Sequence, residues 1–186
     1  LYAGQSLSPD QMATLLNHII ASSCKGKLLM TMCIVQIDLE TGRALVCNAG
    51  HESPLWVKQK DINGASESTD TKRKIPVDVM FSRGERLGFD SSSPYQAIEF
   101  QLEEGDTILG YTDGITEATN EKEKEWGERS LKKVFGGIGP RDLSQIKKDI
   151  VDQLEKHINQ TLQKDDITLI LFRFKRRKAK EGREAA

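Results

Sequence analysis

Apolar residues on both faces of short β-like runs limit this chain more than any other feature of it. Met30 to Leu39 reads as a strand, Thr41-Gly42 as a turn, and Arg43 to Ala49 as a returning strand. Ile34 and Val35, like Val46 and Cys47, put apolar groups on opposite faces, because strand side chains alternate. A hairpin apolar on both faces must be covered on both, so it belongs in a sandwich or beneath helices. Further strands are expected at 54–58, 77–81, 95–102, 107–111 and 167–174, with a polar mobile loop at 59–74.

Helical spacing appears in three places. Ser8-Pro9-Asp10-Gln11 is a start signal with a capping box, and Met12, Leu15, Leu16, Ile19 and Ile20 then repeat as an apolar stripe, giving a helix over 9–24 that stops near Gly26. A short helix is expected at 127–135. A longer one runs from Asp142, with Leu143, Ile146, Ile150, Leu154 and Ile158 on one face. Antiparallel strands with a few helices, no repeat and no linker make this a single α+β domain.

Charge excludes some functions. The 186 residues carry 27 basic and 28 acidic side chains. Seven Lys/Arg against two acids fall at 173–186, which leaves 1–172 with 20 basic and 26 acidic residues. An acidic body argues against nucleic acid as the partner, and the basic tail at 175–186 reads as a solvated, disordered terminus. No run of 18 apolar residues exists, so no membrane contact is expected. Cys24, Cys33 and Cys47 lack CxxC spacing, which fits small buried hydrophobes in a reducing, cytoplasmic setting.

Two acidic positions stand apart. Asp113 follows the strand 107–111, and Asp165 precedes the strand 167–174. Carboxylates at strand mouths can share a cation, and hard oxygen donors select Mg²⁺ or Mn²⁺ over zinc. Taken singly, Asp113-Gly114 is also a common turn and Asp165 an ordinary solvated boundary residue.

The joint pattern goes further. Asn48-Ala49-Gly50-His51, Gly84-Glu85-Arg86-Leu87-Gly88, Leu102-Glu103-Glu104-Gly105-Asp106, Tyr111 to Ala118, Trp126-Gly127 and Asp165-Asp166-Ile167-Thr168 occur in that order. From about 31 to 174 the chain resembles the SpoIIE/RsbU branch of the PPM family, the metal-dependent serine/threonine protein phosphatases of bacteria. The resemblance implies an αββα sandwich of two antiparallel sheets flanked by helices. It implies Asp113 and Asp165 as metal ligands, with Gly114, Asp166, Asn48 and Gly50 as supporting positions and Asp166 facing away from its neighbour. It further implies hydrolysis of phosphoserine or phosphothreonine by metal-activated water in a partner-switching pathway, on a STAS-type anti-sigma-factor antagonist, under an upstream sensor domain. Helix 9–24 is then a candidate element of a switch between sensor and site.

His51 either hydrogen-bonds near the phosphate or packs at a tight strand exit, the latter being favoured. Glu117 either orients the site or is a helix-start acid. The family's first metal-binding segment, an Asp-rich strand end with a Gly-His-Gly turn, does not occur in these 186 residues. Residues 1–174 are therefore expected to be the C-terminal majority of one domain, truncated at its N-terminus. The intact domain would hold two Mn²⁺ or Mg²⁺ ions. This portion alone would hold at most one, weakly, and be nearly inactive, with uncovered sheet edges favouring a homodimer. The alternative is a non-catalytic protein-interaction module on the same fold.

Overall fold

A computed structural model of the chain describes residues 6–66, 75–137 and 142–177, apart from the side chains of 65 and 66. Helix α1 spans Pro9–Cys24, and strands β1 (Met32–Ile37), β2 (Arg43–Ala49) and β3 (Leu55–Val57) follow. Helix α2 covers Gln59–Ser66, and β4 (Asp78–Val79), β5 (Ile98–Gln101) and β6 (Thr107–Tyr111) come next. The chain continues through α3 (Asp113–Thr116), α4 (Glu128–Gly136), α5 (Leu143–Ile158) and β7 (Leu169–Arg173).

The strands form two antiparallel sheets, ordered β1-β2-β5 and β4-β3-β6-β7. Between them lies a core of Ala44, Val46, Trp56, Met80, Leu102, Ile108 and Phe174. The alternate residues Leu55, Val57, Leu109 and Tyr111 face a second core with Leu131 and Phe135 of α4 and Ile146, Ile150 and Leu154 of α5. Helix α1 packs on β1 and β2. The layering is helix, sheet, sheet, helix, and it follows from strands apolar on both faces.

Local signals are realised with three differences. Gln11 accepts the Ser8 amide at 3.0 Å, and Asp142 accepts the Gln145 amide at 2.7 Å, as capping residues should. The first difference is in α1, whose buried face is Pro9, Ala13 and Asn17, while Leu15 is 41% and Ile19 49% exposed. The second is that residues 59–66 form a helix where a loop was expected, because Ile62 enters the core between polar neighbours; 67–74 lie outside the described residues. Third, the basic tail is tied down at its start. The Arg177 amide donates to the Leu39 carbonyl at 2.8 Å and Arg176 reaches the Glu40 carbonyl at 3.0 Å, whereas 178–186 lie outside the described residues.

Candidate metal centre

Strands β6 and β7 pair with Tyr111 opposite Leu169, so the segment leaving β6 and the segment entering β7 run side by side. Thr112 fastens them. Its amide donates to the Thr168 carbonyl (3.2 Å), and its hydroxyl donates to the Asp166 carbonyl (3.1 Å) and accepts from the Thr168 amide (2.9 Å). Asp113 opens α3 immediately after this clamp, and Asp165 lies just before it on the other segment. Gly114 packs against the backbone of Asp165 and Asp166 so closely that a Cβ there would stand 2.5 Å from the Asp166 carbonyl oxygen.

Each aspartate uses one oxygen locally. Asp113 Oδ1 accepts the Gly114 amide at 2.9 Å, and Asp165 Oδ1 accepts the Asp166 amide at 2.7 Å. Both side chains are exposed, which leaves their second oxygens accessible from solvent. A cleft of about 230 Å³ beside them is lined by Gly114, Glu117, Glu125, Lys164 and Asp165; Asp113 stands outside its lining. Two hard carboxylates beside backbone carbonyls suit Mg²⁺ or Mn²⁺ in type. In number they fall short of six ligands, and among the described residues no three His, Cys, Asp or Glu side chains converge as a metal-holding set.

Asn48 and Gly50 build the turn that carries His51. Asn48 is 3% exposed; its Oδ1 accepts the His51 amide (2.8 Å) and its Nδ2 donates to the His51 carbonyl (2.7 Å). Gly50 has φ +70°, and a Cβ there would meet Arg86 at 2.6 Å, so glycine is required. His51 Nδ1 donates to the Glu52 carbonyl at 3.1 Å, leaving Nε2 for another partner. Together with Thr116 and Glu117, His51 lines a second cleft of about 690 Å³. Glu117, whose amide donates to the Asp113 carbonyl at 2.8 Å, borders both clefts.

Two features of the structure escape sequence reasoning. The buried Tyr111 hydroxyl donates to Glu52 Oε2 at 3.3 Å, and burial, with the Glu52 charge adding to it, pushes the phenol pKa well up. A tyrosine ending an apolar strand gives no hint of that partner. Asn17 is fully buried on α1, and its only signal is a polar residue four positions after Ala13.

The family model for stage II sporulation protein E (SpoIIE) matches residues 1–175. The phosphoserine phosphatase RsbU of Bacillus subtilis is 27% identical over 170 residues, 91% of this chain and 46% of RsbU. The chain thus spans less than half the length of this curated relative. Among solved structures, the SiaA-PP2C domain of Pseudomonas aeruginosa superposes with a TM-score of 0.69 at 21% identity, covering 93% of this chain and 63% of that one. The manganese-presoaked phosphatase domain of Bacillus subtilis SpoIIE gives 0.61 at 17% identity, with 95% and 70% coverage. Two antiparallel sheets between helices, the clamped acidic strand ends and a family match over nearly the whole length agree: the chain belongs to the SpoIIE family and has the PP2C-type fold.

Proposed function

We propose that this chain is the C-terminal majority of a metal-dependent protein serine/threonine phosphatase domain, residues 1–174, followed by a basic tail at 175–186. Its substrate would be phosphoserine or phosphothreonine on a regulatory protein of bacterial partner switching, of the STAS-type antagonist class, under an upstream sensor. The observation carrying this reading is the Thr112 clamp, which holds the Asp113 and Asp165 segments at one end of paired strands. The similarity to RsbU, a phosphoserine phosphatase, supports the reaction class.

Asp113 and Asp165 would hold the cation, Mn²⁺ or Mg²⁺. Such an ion, when bound, neutralises phosphate charge and supplies a nucleophilic water at neutral pH. The chain's own part is positional. Gly114 lets the two acidic segments touch, Thr112 fixes their stagger, and the Asn48 turn holds His51 at the rim. With Asp113 and Asp165 as its carboxylate ligands among the described residues, the chain alone would bind one ion weakly and turn over slowly.

A phosphoserine-peptide assay with and without Mn²⁺, run on this chain and on a version extended upstream, tests the reading. Mn²⁺-dependent release by the extended protein, lost in Asp113→Asn, is expected. Full activity in Asp113→Asn excludes the metal role. A second reading, a non-catalytic interaction module, is favoured by the lack of a converging third ligand among the described residues. It predicts no turnover by either protein.

A further inference from the structure

Tyr111 closes β6 one residue before the Thr112 clamp, and it is 4% exposed. A buried phenol hydroxyl needs a hydrogen-bond partner. Glu52 supplies it, its Oε2 accepting the Tyr111 hydroxyl at 3.3 Å. Glu52 lies on the connection from β2 in the first sheet to β3 in the second. Its backbone carbonyl accepts from His51 Nδ1 at 3.1 Å. One residue thus holds the Asp113 strand with its carboxylate and the imidazole with its main chain.

The main-chain contact decides where the imidazole proton sits. A carbonyl oxygen only accepts, so Nδ1 carries the hydrogen and Nε2 of the neutral ring is a bare acceptor. Free neutral histidine side chains favour the opposite, Nε2–H form. His157 adopts that form, its Nε2 donating to the Lys124 carbonyl at 2.8 Å. The His51 ring borders two clefts, one of about 310 Å³ with Tyr111, Thr112 and Thr168, the other of about 690 Å³ with Thr116 and Glu117. Thr112 and Thr116 stand on either side of Asp113 in the chain, so His51 looks onto the Asp113 segment.

We propose that Glu52 is a positioning residue for His51. Tyr111 fixes its carboxylate, its carbonyl fixes the imidazole, and His51 thereby turns an unprotonated Nε2 toward the Asp113 end. An acceptor in that place orients a water or hydroxyl by taking its O–H; while neutral it donates nothing to a phosphate oxygen. The use of that acceptor rests on the phosphatase reading, whereas the locked tautomer follows from the hydrogen bonds themselves.

The tautomer is read directly from long-range ¹H–¹⁵N correlation spectra of the 186-residue chain with labelled histidine, at about pH 8, where an unperturbed imidazole is neutral. The chain has three histidines, and His51→Gln assigns the signal. His51 should be Nδ1–H in the parent and His157 Nε2–H. Glu52→Ala and Tyr111→Phe should move His51 toward Nε2–H and leave His157 unchanged. Glu52→Gln keeps an oxygen acceptor for Tyr111 and should keep the parent tautomer. Tyr111→Phe removes only a hydroxyl and Glu52 is half-exposed, so the variants fold, which circular dichroism checks. In the upstream-extended protein, Mn²⁺-dependent hydrolysis of a phosphoserine peptide should lose about tenfold in kcat with Tyr111→Phe, at unchanged KM. His51→Gln should lose at least as much, and adding Tyr111→Phe to it should cost nothing further. An Nε2–H His51 in the parent, a tautomer indifferent to Glu52→Ala and Tyr111→Phe, or losses that add in the double variant overturns the proposal. A locked tautomer in an extended protein that hydrolyses nothing removes the phosphatase reading and keeps the positioning role of Glu52. Hydrolysis with a tautomer indifferent to Glu52 does the reverse.

Discussion

Gly114 and Asp166 touch through their backbones: the Asp166 carbonyl oxygen would lie 2.5 Å from any Cβ placed on Gly114. Glycine is thus needed here for lack of space. An ordinary helical Gly→Ala change stabilises by up to about 1 kcal/mol. At this position the sign should reverse. Gly114→Ala must push the Asp113 turn off the Asp165-Asp166 segment, at a cost of about 1–3 kcal/mol typical of overpacking. Urea unfolding should report that loss, and Mn²⁺ should stabilise the variant less than the parent protein. An unchanged midpoint together with unchanged Mn²⁺ response would show that the two segments are not rigidly coupled.

Asn17 fastens α1 to the turn after Leu87. Its Oδ1 accepts the Gly88 amide at 2.8 Å, its Nδ2 donates to the Asp90 carbonyl at 2.8 Å, and the side chain is fully buried. Asn17→Ala strands two backbone groups and opens a small cavity. The expected cost is about 2–4 kcal/mol by denaturant unfolding. Asn17→Leu should be at least as damaging, because added apolar volume cannot satisfy the same donor and acceptor. If Asn17→Leu proved neutral, packing rather than hydrogen bonding would be what holds α1.

The sheets were legible in the sequence and the face of α1 was not, for one physical reason. Strand alternation has a period of two, so Trp56 and Ile108 must face opposite to Leu55 and Leu109, and apolar groups on both faces require cover on both; the structure puts the first pair between the sheets and the second toward the helices. A helix stripe says only which side is apolar. On α1 the Leu15–Ile19 side is more apolar, yet the Ala13–Asn17 side is buried, because small and amide side chains let the helix approach the turn at Gly88. Residues 59–66 differ for the converse reason: a helix whose one core residue among the described side chains is Ile62 leaves almost no periodicity to detect. At the site, the motif positions 113 and 165 were readable as strand ends. Contacts such as Tyr111 with Glu52 join residues 59 apart and have no local signature.

Asp106 anchors the turn before β6. Its carboxylate is 1% exposed and accepts from Trp56 Nε1 (3.0 Å), the Gln59 amide (2.9 Å) and the Glu103 amide (3.1 Å). Asp106→Ala leaves the buried Trp56 donor and two half-buried amides unpaired and should destabilise by about 2–4 kcal/mol. Asp106→Asn keeps one acceptor oxygen and turns an NH₂ toward donors, so it should fall between the two. Near-ultraviolet circular dichroism of the tryptophan band reads the loss of order at Trp56 directly. A native-like spectrum and midpoint in Asp106→Ala would mean that water replaces the carboxylate without cost.

Cys33 and Cys47 make stability depend on alkaline pH. Burial pushes both thiols from 9.0 up to about 11, the Cys47 charge adding to the effect at Cys33 and the Asp10 charge at Cys47. Between these values the unfolded chain has released protons that the folded chain retains, so the folded state binds more protons and stability falls as pH rises. The contribution is fully present below about pH 9 and is lost as pH passes through about 11. Melting temperatures should therefore hold steady up to about pH 9 and then decline toward about pH 11. The Cys33→Ala/Cys47→Ala double variant should melt lower at neutral pH, since both side chains help fill the structure, but its curve over the alkaline range should be flatter. The slope is the readout that removed packing cannot mimic. If parent and double variant decline in parallel, other groups carry the alkaline transition and the two thiols titrate alike in the folded and unfolded chains.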